Sequence, residues 1–153
     1  MLRHIFIFSP PSEGFFLIGS MRKIEHIGIA VKDLAAANEN YSKLFNAAPY
    51  KMEGIESEGV NTSFFLIGDS KIELLEATNQ ESAIARFIDK KGEGIHHIAY
   101  DVKDIVVERK RLIEEGFQAI GEIKNGADNK LVCFFHPKSA NGVLVELCQE
   151  RSK

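Results

Sequence analysis

Apolar and polar residues alternate along residues 24–34, IEHIGIAVKDL, and again along residues 95–105, IHHIAYDVKDI. Period-two alternation marks a strand with one buried face, so each run predicts a β-strand. Asp33 and Asp104 close the two alternating stretches and are placed to N-cap a following helix. After Asp33, the residues Leu34, Ala37, Tyr41, Leu44 and Phe45 recur at helical spacing; after Asp104, Ile105, Leu112 and Ile113 do so less fully. Each helix therefore carries a core-facing stripe. Three strand-like runs follow each helix, over 49–56, 60–67 and 71–77 in the first case and 117–123, 130–136 and 143–149 in the second. Between the two sets, residues 79–91 put Ile84, Phe87 and Ile88 on one face and stop before Gly92, which predicts a linking helix with glycine at C′.

The chain thus repeats itself. Ile24, His26, Ile27, Val31, Lys32 and Asp33 recur as Ile95, His97, Ile98, Val102, Lys103 and Asp104, and the segment 71–74, KIEL, recurs as 144–147, LVEL. Two echoes in the same order, at almost the same offset, point to a duplicated βαβββ unit. The expected fold is α+β. Two tandem modules, about 22–78 and 92–150, joined by a helix over about 79–91, form one concave mixed sheet within a single domain spanning 21–150.

Parity then decides what the polar residues of these strands face. Ile27, Ile29 and Val31 share the helix-facing side of the first strand, which leaves His26, Gly28 and Ala30 on the other. His97 follows the same rule opposite Ile98, Glu73 lies between Ile72 and Leu74, and Glu146 lies between Val145 and Leu147. His96 falls on the helix-facing side and is expected to be packed and hydrogen-bonded. Taken singly, His26, Glu73, His97 and Glu146 read as ordinary strand residues. Recurring in register across a duplication, they read as four ligands of one metal ion. Two imidazoles and two carboxylates suit Co, Ni, Mn, Zn or Fe as the divalent ion, and the lack of cysteine ligands argues against a closed structural zinc site.

Composition narrows the remaining choices. With 153 residues, 44% of them hydrophobic, the chain supports one well-buried core. The net charge of -3, without a long run of either sign, gives no footprint for nucleic acid and favours a small-molecule partner. Cys133 and Cys148 are too few for a disulfide scaffold and are expected to be reduced, in keeping with a cytoplasmic protein. Residues 1–20 differ from the rest, because Pro10, Pro11, Glu13 and Gly14 interrupt their apolar stretches. The run 5–8 is too short to span a membrane, and the segment is expected to be a dispensable extension ahead of Met21.

From about Met21 onward the chain resembles the vicinal oxygen chelate superfamily, and within it the methylmalonyl-CoA epimerases. The resemblance is carried by EHIGIAVKDL at 25–34, KIELLEA at 71–77, GEGIHHIAYDV at 92–102, FFHPKSANG at 134–142 and VLVELCQ at 143–149. It implies a homodimer of paired βαβββ modules with one divalent ion per chain, often cobalt, whose ligands fall on His26, Glu73, His97 and Glu146. Glu or Gln occupies the second ligand position in relatives. The implied reaction interconverts the two configurations at C2 of methylmalonyl-CoA, with Glu146 and Glu73 as the catalytic acid and base. Lys138 and Ser139 are the residues this resemblance offers for binding the anionic acyl-CoA. Some epimerases carry a further glutamate three residues after the glycine that opens the third strand, and Thr62 stands there after Gly59. A glyoxalase I type lyase using Ni or Zn can share the ligand set. A sequestering protein of the antibiotic-resistance kind would keep the fold without a catalytic metal, and retention of all four ligands argues against it.

Overall fold

The structure is a computed structural model that describes residues 20–152; the extension expected over 1–20 therefore lies, apart from Ser20, outside the described residues. The chain runs β1 (Met21–Ala30), α1 (Leu34–Phe45), β2 (Lys51–Ile55), β3 (Val60–Ile67), β4 (Ser70–Ala77), α2 (Ala83–Lys91), β5 (Gly94–Val102), α3 (Ile105–Glu114), β6 (Ala119–Asn125), β7 (Lys130–Phe135) and β8 (Val145–Glu150). The βαβββ order occurs twice. All eight strands form one mixed, curled sheet in the order β2-β3-β4-β1-β5-β8-β7-β6, so the two modules meet where β1 pairs antiparallel with β5.

Local chemistry explains the elements. Asp33 accepts a hydrogen bond from the Ala36 amide at 3.0 Å, and Asp104 accepts from Val106 and Val107, so both predicted caps start their helices. Such a cap contributes on the order of 1 kcal/mol. Ser82 caps α2, and Gly92, with φ of 78°, ends it by donating its amide to Ile88. Among the described residues no helix is long and apolar enough to cross a membrane.

The helices α1 and α3 bury their stripes on the convex side of the sheet. Leu34 joins Val31, Phe65 and Leu74 under α1, while Ile105 and Leu112 join Val102, Cys133, Phe135 and Leu147 under α3. Leu44 and Ile113, placed in those stripes by spacing, are 68% and 43% exposed. Both sit at the stripe's edge. On α3 the adjacent inward place is taken by Glu108, whose carboxylate is held by Ser20 and Arg111. Helix α2 packs elsewhere, its Ile84 meeting Ala30, Val60 and Leu75 at the concave face.

Two strand limits shift for a visible reason. The end of α3 continues through the amides of Gly116 and Phe117, which bond back to Ile113 and Leu112, so β6 begins at Ala119 and not at Phe117. Before β8, a 3-10 turn over Pro137–Ala140 and left-handed Asn141 and Gly142 use up the chain, so the strand begins at Val145 and not at Val143.

Candidate metal centre

The seam between modules has an internal symmetry. In the β1–β5 register, Ile27 faces Ile98; on one side of this pair His26 faces Ala99, and on the other Gly28 faces His97. The neighbouring parallel strands add Glu73 beside Gly28 and Glu146 beside Ala99. Residues facing one another across a ladder project to the same side. All four candidate ligands therefore stand on the concave face, two from each module.

Their tips converge. The Nε2 atoms of His26 and His97 are 3.0 Å apart. His26 Nε2 lies 3.3 Å from Glu73 Oε2 and 3.4 Å from Glu146 Oε2, and His97 Nε2 lies 3.5 Å and 3.0 Å from the same two oxygens. His26, His97 and Glu146 each bring a ligand atom within 4.8 Å of the others, close enough for one ion, and Glu73 Oε2 lies within 3.5 Å of both Nε2 atoms; two imidazoles and two carboxylates are ordinary donors for a divalent metal. The donor set thus fits a divalent ion. All four side chains are buried.

Charge in the cluster is mutually dependent. Burial disfavours the charged form of both imidazoles, but the facing carboxylates of Glu73 and Glu146 outweigh it and hold His26 and His97 above the usual histidine range. Burial likewise opposes ionised Glu73 and Glu146, and the two histidines hold both carboxyls below the usual range. The cluster therefore favours positive charge among its four side chains.

Glu25, His26 and Cys148 also bring ligand atoms within 4.8 Å of one another. Burial pushes the Cys148 thiol up to about 12 and the Cys133 thiol up to about 11, which leaves both protonated and poor as ligands. Both cysteines are unpaired and buried.

The four side chains form the floor of a cavity of about 270 Å³, walled by Val60, Phe64, Leu75, Val132 and Phe134. At its mouth Lys124 of β6 pairs with Glu58 at 2.6 Å, and the loop 125–128 reaches across from the second module to the first. There Asp128 meets Lys71 at 2.7 Å, Lys51 at 3.1 Å and the Tyr50 hydroxyl at 3.1 Å, while its amide donates to Glu53.

Thr62 is buried and also lines the cavity. Lys138 and Ser139 do not. They occupy the 3-10 turn before β8, where the Ser139 hydroxyl accepts from the Gln118 amide at 2.8 Å and the Lys138 amide donates to His136 Nδ1.

Sequence reasoning missed two cavity residues. Glu25 is buried against Lys71, at 2.9 Å. Burial alone would raise its carboxyl, but His26 and Lys71 hold it at about 2. His96, expected on the helix-facing side, packs against Phe87 of α2 with ring centroids 5.0 Å apart and also lines the cavity. Burial, reinforced by His97, pushes its imidazole down to about 4, so it is neutral. The available signal was a polar residue directly before each candidate ligand histidine, where strict alternation calls for an apolar one.

Residues 25–134 match the model of the Glyoxalase/Bleomycin resistance protein/Dioxygenase superfamily. The chain belongs to this superfamily. The ethylmalonyl-CoA/methylmalonyl-CoA epimerase of Cereibacter sphaeroides is 42% identical over 130 residues, covering 83% of this chain and 97% of that one. A hypothetical protein from Bacillus halodurans superimposes with a TM-score of 0.82 at 45% identity, over 86% of this chain and 96% of the other. A methylmalonyl-CoA epimerase variant from Streptomyces coelicolor, solved with 2-nitronate-propionyl-CoA, gives 0.84 at 33% identity, over 87% and 97%. The superfamily's curled half-barrel is the sheet described above.

Proposed function

We propose that the protein is an epimerase that inverts C2 of methylmalonyl-CoA, using one divalent ion, Co²⁺ for preference, held by His26, Glu73, His97 and Glu146. The observation that carries this reading is the buried tetrad at the floor of a largely apolar cavity, supported by relatives named as epimerases of this substrate. When bound, the ion supplies the positive charge that stabilises an enolate developing between the thioester and the carboxylate of the substrate.

The chain's own residues supply the proton transfers. The cavity carries carboxylates from Glu25, Glu58, Glu73, Asp128 and Glu146. Glu25, Glu58 and Asp128 are each paired with a lysine. Glu73 and Glu146 are left. They stand on β4 and β8, counterpart strands on either side of the seam, so each addresses the reacting carbon from its own module. One, as the carboxylate, takes the C2 proton, and the other, having first taken up a proton as the acid partner in that direction, delivers it to the opposite face. Phe64, Val132 and Phe134 exclude water from the carbanion while it lives.

The test is solvent exchange. Protein loaded with Co²⁺ is expected to wash deuterium from D₂O into C2 of methylmalonyl-CoA and to racemise a single epimer, while leaving the methylglyoxal–glutathione adduct untouched. Rapid turnover of that adduct would reassign the protein to the lyases, and absence of exchange at C2 would sink the epimerase reading.

A further inference from the structure

The two ligand histidines share an arrangement that coordination alone does not require. In the β1–β5 ladder Ile24 faces Tyr100 and His26 faces Ala99, so Glu25 is an extra residue; by the same symmetry Ile29 faces Ile95 and Gly28 faces His97, so His96 is one too. A β-bulge re-aims the side chain at its extra residue. Each bulge brings the residue before the histidine to that histidine's own side of the sheet. There it meets the far nitrogen of the ring: His96 Nδ1 lies 3.0 Å from His97 Nδ1, and Glu25 Oε1 lies 3.7 Å from His26 Nδ1. His26 Nδ1 is buried without a hydrogen-bond partner, as is Glu25 Oε2.

An imidazole that gives its Nε2 lone pair to an ion carries its hydrogen on Nδ1, and a buried N–H needs an acceptor. We infer that Glu25 and His96 are paired positioning residues, which accept the Nδ1 hydrogens of His26 and His97 and so fix both rings in the tautomer that offers Nε2 to the ion. The inference rests on the metal-site reading above. Each acceptor is itself held. Lys71 clamps Glu25 and is in turn clamped by Asp128, whereas the ring of Phe87 backs His96. The pair is also unequal in charge. A carboxylate behind His26 makes that ring the more basic ligand, so loss of Glu25 weakens the site more than loss of His96.

The experiment titrates metal-free protein with Co²⁺ and follows its visible absorption. Glu25→Ala and His96→Phe are expected to weaken binding by about 10- to 100-fold, Glu25→Ala more strongly, as for other acceptors behind a metal-bound histidine. Glu25→Gln and His96→Asn keep an acceptor oxygen and are expected to recover most of the loss. In the Zn²⁺-loaded parent, ¹⁵N–¹H imidazole spectra should show the hydrogen of both ligand rings on Nδ1. If the Ala and Phe variants bind Co²⁺ like the parent while His26→Ala does not, the positioning role is wrong and the metal site stands. If the parent binds no metal, both ideas fall. Weakened binding that follows a lowered thermal midpoint and is not rescued by Gln or Asn marks a merely structural role and overturns the inference as well.

Discussion

The imidazole of His97 lies directly over the backbone of Gly28, so close that a β-carbon at position 28 would overlap its ring atoms. The backbone at Gly28 is ordinary strand, and the glycine is required by space and not by its torsion angles. Gly28→Ala is therefore expected to displace His97 while leaving the sheet intact. Co²⁺ affinity should fall by at least about tenfold with the far-ultraviolet circular dichroism unchanged. Parent-like metal binding in this variant would show that His97 is not a ligand.

Glu146 and Glu73 are separated by amide substitution. Glu146→Gln retains an oxygen for the ion but takes up no proton, and turnover is expected to drop by roughly 10²- to 10⁴-fold. Glu73→Gln distinguishes two roles. If Glu73 is the second base, deuterium exchange from one epimer persists while inversion fails; unimpaired inversion would restrict Glu73 to holding the ion.

The Asp128 latch predicts a pH dependence. Burial tends to raise the Asp128 carboxyl, but Lys71, Lys51 and Tyr50 hold it below its ordinary value of 3.8. A carboxyl depressed in the folded state adds stability above its unfolded pKa, and this is lost as pH falls through the folded value. Asp128→Asn should thus lower the thermal midpoint at pH 6, and the gap from the parent should close below about pH 4. Melting curves of the chelator-treated proteins check it; a gap constant across that range would refute the charge pairing.

Phe135 is fully buried beneath α3, beside Phe117. Phe135→Ala leaves a cavity there, and denaturant unfolding should show a loss of about 3–5 kcal/mol.

The sequence made His26, Glu73, His97 and Glu146 legible because duplication repeats them and alternation orients them without any long-range information. The caps at Asp33 and Asp104 were legible for the same reason, being local. Glu25 and His96 were not. Their orientation depends on bulges that exist only where β1 meets β5, a pairing between distant segments that no local pattern encodes. Lys138 and Ser139 looked available in a loop, but their positions follow from a 3-10 turn and two left-handed residues that carry the segment away from the cavity. Leu44 and Ile113 show the limit of helical spacing, which ranks positions around a helix but does not fix how wide a stripe the sheet can cover.

The seam between β1 and β5 has a consequence for synthesis. Until β5 emerges, β1 is the bare rim of a four-stranded half-sheet, with ten residues free to pair along one side. An exposed strand of that length is a template for another chain. A fragment ending near residue 78 should therefore self-associate through β1, two copies standing in for the two modules and rebuilding a palindromic sheet. Fusion of the modules in one polypeptide keeps that rim covered by its own continuation, and makes the partner at the seam an internal one.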